Sequence, residues 1–443
     1  MGKTTPLMAE PWVSPQQAMA RAQRLAEADS PAALQVVGAI ARAFREARAA
    51  GVEAAAIERD VGSRIAGSLR SIGAGMEDQR GGARRSPSES VRKTILDRLR
   101  RLREGAKKVA LKRAEAFIAN PVSLKQLVAL VKKHRPSYMT AEQFQTLDTW
   151  TFRAFNPGSF MLNGEVFVVV RLCNFTSCAM QYHVPDHIVS IPVLVGLESG
   201  RMAVVDVATP NFHTSRGLED AKCLLFKDAL HMFCTYIDYT GQPRMCVVHT
   251  PVNALLDSLG RAAGVHDFDA HVLQAPSMRL RPVEKNWMPL EAGGRMYVIY
   301  TLEPCVVLAV DPTTWSCALT SNRSSGVATW ELIRGTSNVV DYGQDKLCLG
   351  HYRNEDDFQY YHVFVRLSSD PFKMRVMQLS YMFKFLRRDR IEFANGLVVL
   401  PNGDVQVSFG MEDCSCSLMR ISKERLNAMF DDEVDGVVHL SEE

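Results

Sequence analysis

The residues that could carry chemistry fall in five places where polar side chains interrupt apolar, strand-like sequence. These places recur along the chain at intervals of roughly 50 to 75 residues, a spacing typical of repeated sheets. Each supplies carboxylates, amides or cations, which can move protons, bind hydroxyl groups or neutralise an anion. The candidate residues are Asn156, Arg171 and Asn174; Glu219, Asp220 and Lys222; Glu284, Lys285, Asn286 and Trp287; Ser337 and His351; and Asp413, which follows Asn395. Their regular spacing predicts one shared site.

Repeated strands are the elements that must position these residues. From about Phe152 onward, short runs rich in Val, Ile, Phe and Tyr are bounded by Gly, Pro, Asn or Asp, a pattern typical of strands joined by tight turns. Examples are Glu165 to Leu172, Lys222 to Phe226 and Val405 to Phe409. The length of this half suits five sheets of four strands at about 60 residues each. We therefore predict an all-β, five-bladed β-propeller over residues 149–443.

Residues 1–148 have a different composition and are predicted to form an α-helical domain. Ser14 and Pro15 form a helix start, and alanine-rich sequence with helical spacing follows to about Ala50. The first 150 residues hold 26 Lys+Arg and 15 Asp+Glu; the totals of 52 and 49 leave 26 and 34 for the rest, so the balance changes from +11 to −8. The chain therefore consists of two differently built halves.

The strongest basic run extends from Arg80 to Arg113, with 13 basic and three acidic residues. It is either the solvated face of a helical bundle or a surface that associates with an anionic membrane or with other copies of the chain. Proteins that read nucleic acids usually add aromatic side chains. Phe117 is the only aromatic residue between Phe44 and Tyr138, so specific nucleic-acid binding is not expected.

The segment Gly217-Leu-Glu-Asp-Ala-Lys222, followed by Met232-Phe-Cys-Thr-Tyr236, resembles a known enzyme motif. It is similar to the Gly-x-Glu-Asp-Pro-Arg sequence and following strand of five-bladed β-propeller enzymes related to glycoside hydrolase family 130, the β-mannoside phosphorylases, and of the related β-mannosyltransferases. Further similar pieces begin at Phe155, Val170, Glu284 and Ser408, so that the resemblance covers residues 150–425.

The resemblance implies that Asp220 is the catalytic acid or base of an inverting glycosyl transfer. One departure lies beside it, because Ala221 and Lys222 replace the Pro-Arg of the motif. Lysine keeps the positive charge but lacks the planar fork with which arginine binds phosphate or paired hydroxyls, which argues against phosphate as the acceptor.

The other candidates carry two interpretations each. Glu284 and Asp413 are further carboxylates for acid-base work, while the amides, cations, Ser337, His351 and the Trp287 ring could bind substrate. The structural alternatives are a loop cap at Glu219 and Asp220, a buried ion pair at Glu284 to Asn286, an ordinary core tryptophan and a core histidine.

The function implied by this resemblance is inverting glycosyl transfer by a cytoplasmic, or membrane-peripheral, carbohydrate-active enzyme. Its partners would be a donor with a mannose-like sugar, either a nucleotide sugar or a sugar 1-phosphate, and a glycan or sugar acceptor. Alternatives are a glycoside hydrolase of the same fold and a non-catalytic propeller that binds glycan or protein. No cofactor or metal is expected, since Asp267 and Asp269, and Cys414 and Cys416, lack further ligands at metal-site spacing. The ten cysteines are expected to be reduced.

Overall fold

The computed structural model describes residues 116–141, 152–175, 188–207, 216–260, 265–325, 333–354, 359–386, 391–431 and 438–440. All of them belong to one compact unit, Arg113–Asp432 with Val438–Glu443. This unit begins earlier in the chain than the domain boundary expected at residue 149. The predicted helices before Lys112 and the basic run up to that residue lie outside the described residues.

The first eight strands of the long half form two antiparallel groups. Apolar, β-branched sequence such as Val168-Val169-Val170 favours extended backbone, and these side chains are buried. The first group contains β2 (Arg153–Leu162), β3 (Glu165–Cys173), β4 (Ser190–Gly196) and β5 (Met202–Val207). The second contains β6 (Glu219–Phe226), β7 (Ala229–Ile237), β8 (Pro243–Pro251) and β9 (Val265–Val272). A parallel pairing of β5 with β9 joins both groups into one eight-stranded sheet.

The next two sheets follow in chain order. One is the antiparallel meander β10 (Met288–Ala292), β11 (Arg295–Thr301), β12 (Cys305–Val310) and β13 (Cys317–Arg323). The other contains β14 (Arg334–Gly335), β15 (Val340–Tyr342), β16 (Asp345–Arg353), β17 (Tyr360–Leu367), β18 (Val376–Leu379), β19 (Phe383–Lys384) and β23 (Val438–His439).

The last sheet joins the two ends of the described chain. Strands β20 (Glu392–Val399), β21 (Val405–Met411) and β22 (Ser415–Ile421) form a meander, and β1 (Ala116–Ala119) pairs antiparallel with β22. Three helices are described: α1 (Leu124–Lys133), α2 (Val252–Gly260) and α3 (Lys423–Asp431). None of the helices in the described residues is long and apolar enough to cross a membrane.

The first strands of successive groups lie side by side around a common centre. Strand β2 contacts both β6 and β20, and β6 also contacts β10. The segment between β14 and β15 closes the circle, because Asn338 exchanges two hydrogen bonds with Leu397 of β20 while the Val339 amide donates to Pro289 of β10. The described residues thus form an all-β, propeller-like arrangement, as the sequence predicts.

Hydrophobic clusters fill the spaces between neighbouring groups of strands. One packs Phe160 and Phe167 against Met232 and Phe268, between the two groups of the eight-stranded sheet. Another joins Phe233 to Trp287, between β7 and the start of β10. These clusters bury the apolar faces of neighbouring groups of strands.

Candidate functional site

Three of the central strands are irregular at the same level. Register shifts interrupt β2 between Phe155 and Gly158, β6 between Glu219 and Lys222, and β20 between Ala394 and Gly396. Such bulges turn side chains away from the regular alternation of a strand. They aim Asn156, Asp220 and Asn395 toward one another.

The backbone at these polar residues is held in the left-handed region. The φ angle is +47° at Asn156, +52° at Asp220, +64° at Asn286 and +46° at Asp413. Asn and Asp enter this region more readily than other residues with a side chain, but the conformation still costs free energy. Four such positions at strand starts and turns are typical of a site whose geometry the surrounding structure fixes.

Arg171, on β3, binds both acids of the Glu219–Asp220 pair. Its Nη2 lies 2.9 Å from Glu219 Oε1 and its Nη1 lies 3.3 Å from Asp220 Oδ1. The guanidinium is positioned from the other side by a hydrogen bond from Nε to Ser190 Oγ, at 3.0 Å, and by the ring of Phe155, 5.1 Å from Cζ. Burial acts to lower the pKa of Arg171, but Glu219, Cys173 and Asp220 together raise it, so the side chain stays charged.

Asp220 is the more precisely held of the two acids. Besides Arg171, its Oδ1 accepts a 3.0 Å hydrogen bond from Asn156 Nδ2. The side chain is 18% exposed, so its carboxylate reaches solvent although Asn156 is buried. The approach of β21 depends on Gly410, because a Cβ there would lie 2.1 Å from Asn156 Oδ1 and 2.7 Å from its backbone nitrogen.

Lys222 is a buried cation beneath the acids, only 1% exposed. Its Nζ lies 3.4 Å from the Asp220 carbonyl oxygen, 3.5 Å from Asn286 Oδ1 and 3.2 Å from Asn395 Oδ1. Burial lowers the pKa of Lys222 to about 8, with the charge of Asp220 opposing this shift. The ammonium group therefore changes charge near neutral pH, unlike an exposed lysine.

Asn395, on β20, connects the central strands. Its Nδ2 donates to the Asn156 carbonyl at 3.1 Å and to the Ala221 carbonyl at 2.8 Å, while Oδ1 accepts from Lys222. We call the set of residues joined by these contacts the acid–base cluster; it comprises Asn156, Arg171, Glu219, Asp220, Lys222 and Asn395.

Glu219 holds its proton to a higher pH than an ordinary glutamate. Burial raises the pKa of Glu219, Arg171 opposes the shift, and the neighbouring charge of Asp220 adds to it. Lys285, an exposed residue, and Asp413 lie close enough to influence the acid–base cluster: the charge of Lys285 lowers the pKa of Glu219 and that of Asp413 raises the pKa of Arg171. Proton transfer and binding of an anion are both possible chemistry for this arrangement.

His351, on β16, is a buried neutral side chain beside the cluster. Burial lowers the pKa of His351 to about 3, and the charges of Arg334, Lys285, Lys222 and Arg353 lower it further in the same direction. Its ring stacks on Tyr360 with centroids 5.6 Å apart and meets the edge of Phe393 at 5.5 Å. These contacts place His351 near the cations of the site, although its packing is that of a core histidine.

Glu284 and Trp287 form a separate structural contact. Glu284 is buried and accepts hydrogen bonds from the Arg281 amide, from Trp287 Nε1 at 3.0 Å and from the Tyr300 hydroxyl at 2.9 Å. Trp287 is 1% exposed, so it leaves no ring face for a sugar and the prediction of a binding platform is wrong on this point. No hydrogen bond between Glu284 and the acid–base cluster is present in the described part of the chain.

Ser337 and Asn174 also serve the backbone. Ser337 Oγ donates to the Asn338 carbonyl and accepts from the Leu349 amide, and Asn174 Oδ1 accepts from the Val189 amide at 2.8 Å. Both side chains are fully buried. Their contacts hold strand connections rather than face an open site.

Most of the described cysteines follow the expectation of reduced thiols. Eight of them are free and buried in the described structure, which fits reduced thiols packed in the core. Cys414 is disulfide-bonded, a pairing that the sequence spacing does not reveal. Within the described ranges, no group of three or more His, Cys, Asp or Glu side chains is arranged to hold a metal ion.

Asn395 is the member of the acid–base cluster that was not predicted as a binding residue. The signal was present, because an asparagine followed by glycine interrupts the apolar run of Phe393 to Leu400. A buried amide in such a run needs several partners, and here the partners come from β2 and β6, far away in sequence.

Comparisons with known proteins give structural likenesses only. No family model matches the sequence, and no curated protein matches it. Among solved structures, the chain is similar to a glycosyl hydrolase from Bacteroides ovatus, with 13% identity, 62% of this chain and 86% of that chain covered, and a TM-score of 0.43. It is also similar to a β-1,2-mannobiose phosphorylase from Listeria innocua in complex with β-1,2-mannobiose, with 13% identity, coverage of 63% and 92%, and a TM-score of 0.44. A third likeness is to a structure from work on the GH130 family of mannoside phosphorylases and β-1,2-mannosidic linkages in Candida mannan, with 12% identity, coverage of 65% and 88%, and a TM-score of 0.46.

Proposed function

We propose that the acid–base cluster is the active site of a carbohydrate-active enzyme that transfers a glycosyl unit with inversion. The fold that presents it is a five-bladed β-propeller in this proposal, with one group of strands per blade. The donor is a nucleotide sugar or a sugar 1-phosphate, and the acceptor is a sugar or glycan.

The observation that carries the proposal is the fixed, partly exposed carboxylate of Asp220. It is held by Asn156 and Arg171 in a left-handed backbone conformation, at the centre where the first strands meet. A carboxylate that is both fixed and open to solvent is suited to proton transfer with a bound molecule.

The proposed reaction uses Asp220 as the general base. The acceptor hydroxyl gives its proton to Asp220 while its oxygen forms a bond to the anomeric carbon of the donor. The bond from that carbon to the phosphate oxygen breaks on the opposite face, and its electron pair leaves with the phosphate. Attack opposite the leaving group inverts the configuration at the anomeric carbon.

Cations around the cluster would neutralise the leaving phosphate. Arg171 and Lys222 belong to the cluster, and Lys285 is close enough to lower the pKa of Glu219. The charges of Arg334 and Arg353 lower the pKa of the neighbouring His351. Lys222 has a pKa of about 8, so donor binding should weaken above that pH as its charge is lost. Asp413 is the second proposed carboxylate, since its charge acts on Arg171. Glu284, with three hydrogen bonds of its own, is a positioning residue for the segment that carries Lys285 and Asn286.

The test is a donor-dependent assay on Asp220→Asn. Nucleotide sugars and sugar 1-phosphates are each offered with water, inorganic phosphate or an oligosaccharide as acceptor, and products are identified by mass spectrometry and NMR. We expect Asp220→Asn to keep its melting temperature and to lower kcat by about 100-fold or more. The matched control is Asp257→Asn, an exposed acid on α2, which should change neither quantity.

The acceptor arms separate this proposal from its alternatives. Cleavage of the oligosaccharide by water, with no use of either donor, identifies a hydrolase, and binding of sugar with neither transfer nor cleavage identifies a non-catalytic propeller. An Asp220→Asn protein with wild-type turnover would move the catalytic role away from Asp220.

A further inference from the structure

An open cleft lies in the group of strands that begins with β6. Its volume is about 580 Å³, which is within the range of small-molecule sites. It is formed by the β7–β8 turn and by the segment that leads from β9 toward β10. Val272, Met278 and Leu280 contribute apolar walls, and Asp238, Arg244 and Gln274 contribute polar groups.

The strand register places this cleft at the same sheet edge as Asp220, that is, the edge formed by the ends of the strands. Glu219 of β6 pairs with Thr235 of β7, Tyr236 pairs with Arg244 of β8, and Cys246 pairs with Val272 of β9. Neighbouring strands lie about 4.8 Å apart, so the cleft is roughly 10 to 15 Å from the start of β6 along this edge. An oligosaccharide bound at one place can reach the other.

One segment of chain also connects the two places physically. Arg244 Nη1 donates to the Pro282 carbonyl at 2.7 Å, and the Glu284 amide donates to the Pro243 carbonyl at 3.1 Å. The segment anchored in this way lines the cleft with Met278 and Leu280, and it then carries Asn286 to Lys222.

The polar groups of the cleft have no excess charge. Arg244 Nε lies 3.2 Å from Asp238 Oδ2, so the guanidinium and the carboxylate neutralise each other. Arg244 Nη2 and the side-chain amide of Gln274 make no hydrogen bond with any described residue and remain available as planar donors. Such a site suits a neutral molecule with many hydroxyl groups better than a phosphate or a carboxylate.

Tyr239 provides an aromatic surface for such a molecule. It is in the β7–β8 turn, lines the cleft and is 86% exposed. The turn that presents it is fixed, because Asp238 Oδ1 accepts hydrogen bonds from the Thr240 amide at 2.8 Å and the Gln242 amide at 2.9 Å. An exposed tyrosine on a rigid turn has both a flat apolar face and a hydroxyl group. The apolar C–H face of a sugar ring stacks on such a surface.

We propose that this cleft is a binding site for a neutral saccharide, with Tyr239 as the stacking surface and Arg244 and Gln274 as hydroxyl-binding groups. The saccharide is part of the glycan acceptor, which extends along the sheet edge toward Asp220; this link to transfer, but not the binding itself, rests on the proposed function.

The experiment measures saccharide binding rather than turnover. The full-length chain carrying Asp220→Asn is titrated with mannotetraose, cellotetraose and xylotetraose by calorimetry and by ligand-observed NMR. At least one tetrasaccharide should bind, and Tyr239→Ala should weaken that binding about tenfold, whereas Tyr239→Trp should restore it. Gln274→Ala should weaken it by a smaller factor. The control is Phe372→Ala, which removes an aromatic side chain that is 57% exposed in the β17–β18 turn and should leave binding unchanged.

The outcomes separate this proposal from the proposed function. No binding of any of the three tetrasaccharides, or equal binding by Tyr239→Ala and the parent protein, overturns the saccharide cleft whatever the turnover assay gives. Tyr239-dependent binding in a chain whose turnover does not depend on Asp220 keeps the cleft and rejects the proposed active site.

Discussion

The buried ammonium group of Lys222 makes the stability of this protein depend on pH. Its pKa falls from the ordinary 10.5 to about 8 because of burial. Between these two values the unfolded chain binds a proton that the folded chain does not. The contribution of Lys222 to the free energy of unfolding is therefore lowest below pH 8, because folding there buries the charged ammonium group. This contribution rises as the pH increases from 8 to 10.5. Each pH unit within this window contributes about 1.4 kcal/mol.

The perturbation that isolates this contribution is Lys222→Met, which keeps the length of the side chain and removes its charge. Urea unfolding is followed at pH 7 and pH 9 by the fluorescence of the buried Trp287 and Trp315. About one pH unit of this interval lies inside the window, so the wild type should gain about 1.4 kcal/mol relative to Lys222→Met.

Lys373→Met, at an exposed position in the β17–β18 turn, is the matched control and should follow the wild type. The same pH dependence in the wild type and in Lys222→Met would refute the reasoning, because it would mean that Lys222 is not desolvated in the folded protein. Loss of the gain in Lys373→Met as well would attribute the effect to general charge reduction.

Two further predictions concern residues beside the cluster. Burial lowers the pKa of His351 to about 3, so the wild type should lose stability as the pH falls from 6.5 toward 3, and His351→Phe should lose about 3 kcal/mol less between pH 7 and pH 4.5 in urea unfolding; equal acid sensitivity would contradict this. Glu284→Gln should lower the free energy of unfolding by about 1.5 to 3 kcal/mol, since three hydrogen bonds to its carboxylate are weakened, yet change the kcat of the folded protein far less than Asp220→Asn does. A large loss of kcat in Glu284→Gln at an unchanged melting temperature would instead make Glu284 catalytic.

The sequence predicts the apolar strands well because their signal is local. The run predicted at Glu165 to Leu172 is β3, Glu165–Cys173, and the run predicted at Val405 to Phe409 is β21, Val405–Met411. Strand β2 has no such signal at its start, since Asn156 and Pro157 resemble a loop. Proline is tolerated there because the bulge removes the need for its amide hydrogen.

The sequence points to most of the residues that meet in the acid–base cluster, but not to the contacts that each residue makes. Arg171, Glu219, Asp220 and Lys222 meet as the spacing suggests, because β2, β3 and β6 are neighbours. The burial of Glu284 depends on Arg281 and Tyr300, and nothing near Glu284 in the sequence shows that Tyr300 will donate to it. Whether a polar residue joins the cluster or only supports the fold therefore depends on strands that are distant in sequence, and the local sequence does not show it.

Strand β1 was assigned to the helical half for a related reason. Its four residues, Ala-Phe-Ile-Ala, are too few to show alternation, and they follow a basic stretch with helical spacing. Their strand conformation comes from pairing with β22, in the register Ala116 to Arg420 and Ala119 to Ser417. Such a long-range pairing decides the structure of a short segment that is locally undetermined.

The pairing of β1 with β22 also sets the order of events during synthesis. Strand β1 leaves the ribosome before all the other described strands but can find its partner only when nearly the whole chain has been made. Until then β1 and β21 both lack the strand that pairs between them, and an uncovered strand edge can pair with other chains. A chain released before β22 is made would therefore expose the edges of both β1 and β21. Each of these strands could then pair with another unfinished copy of the chain.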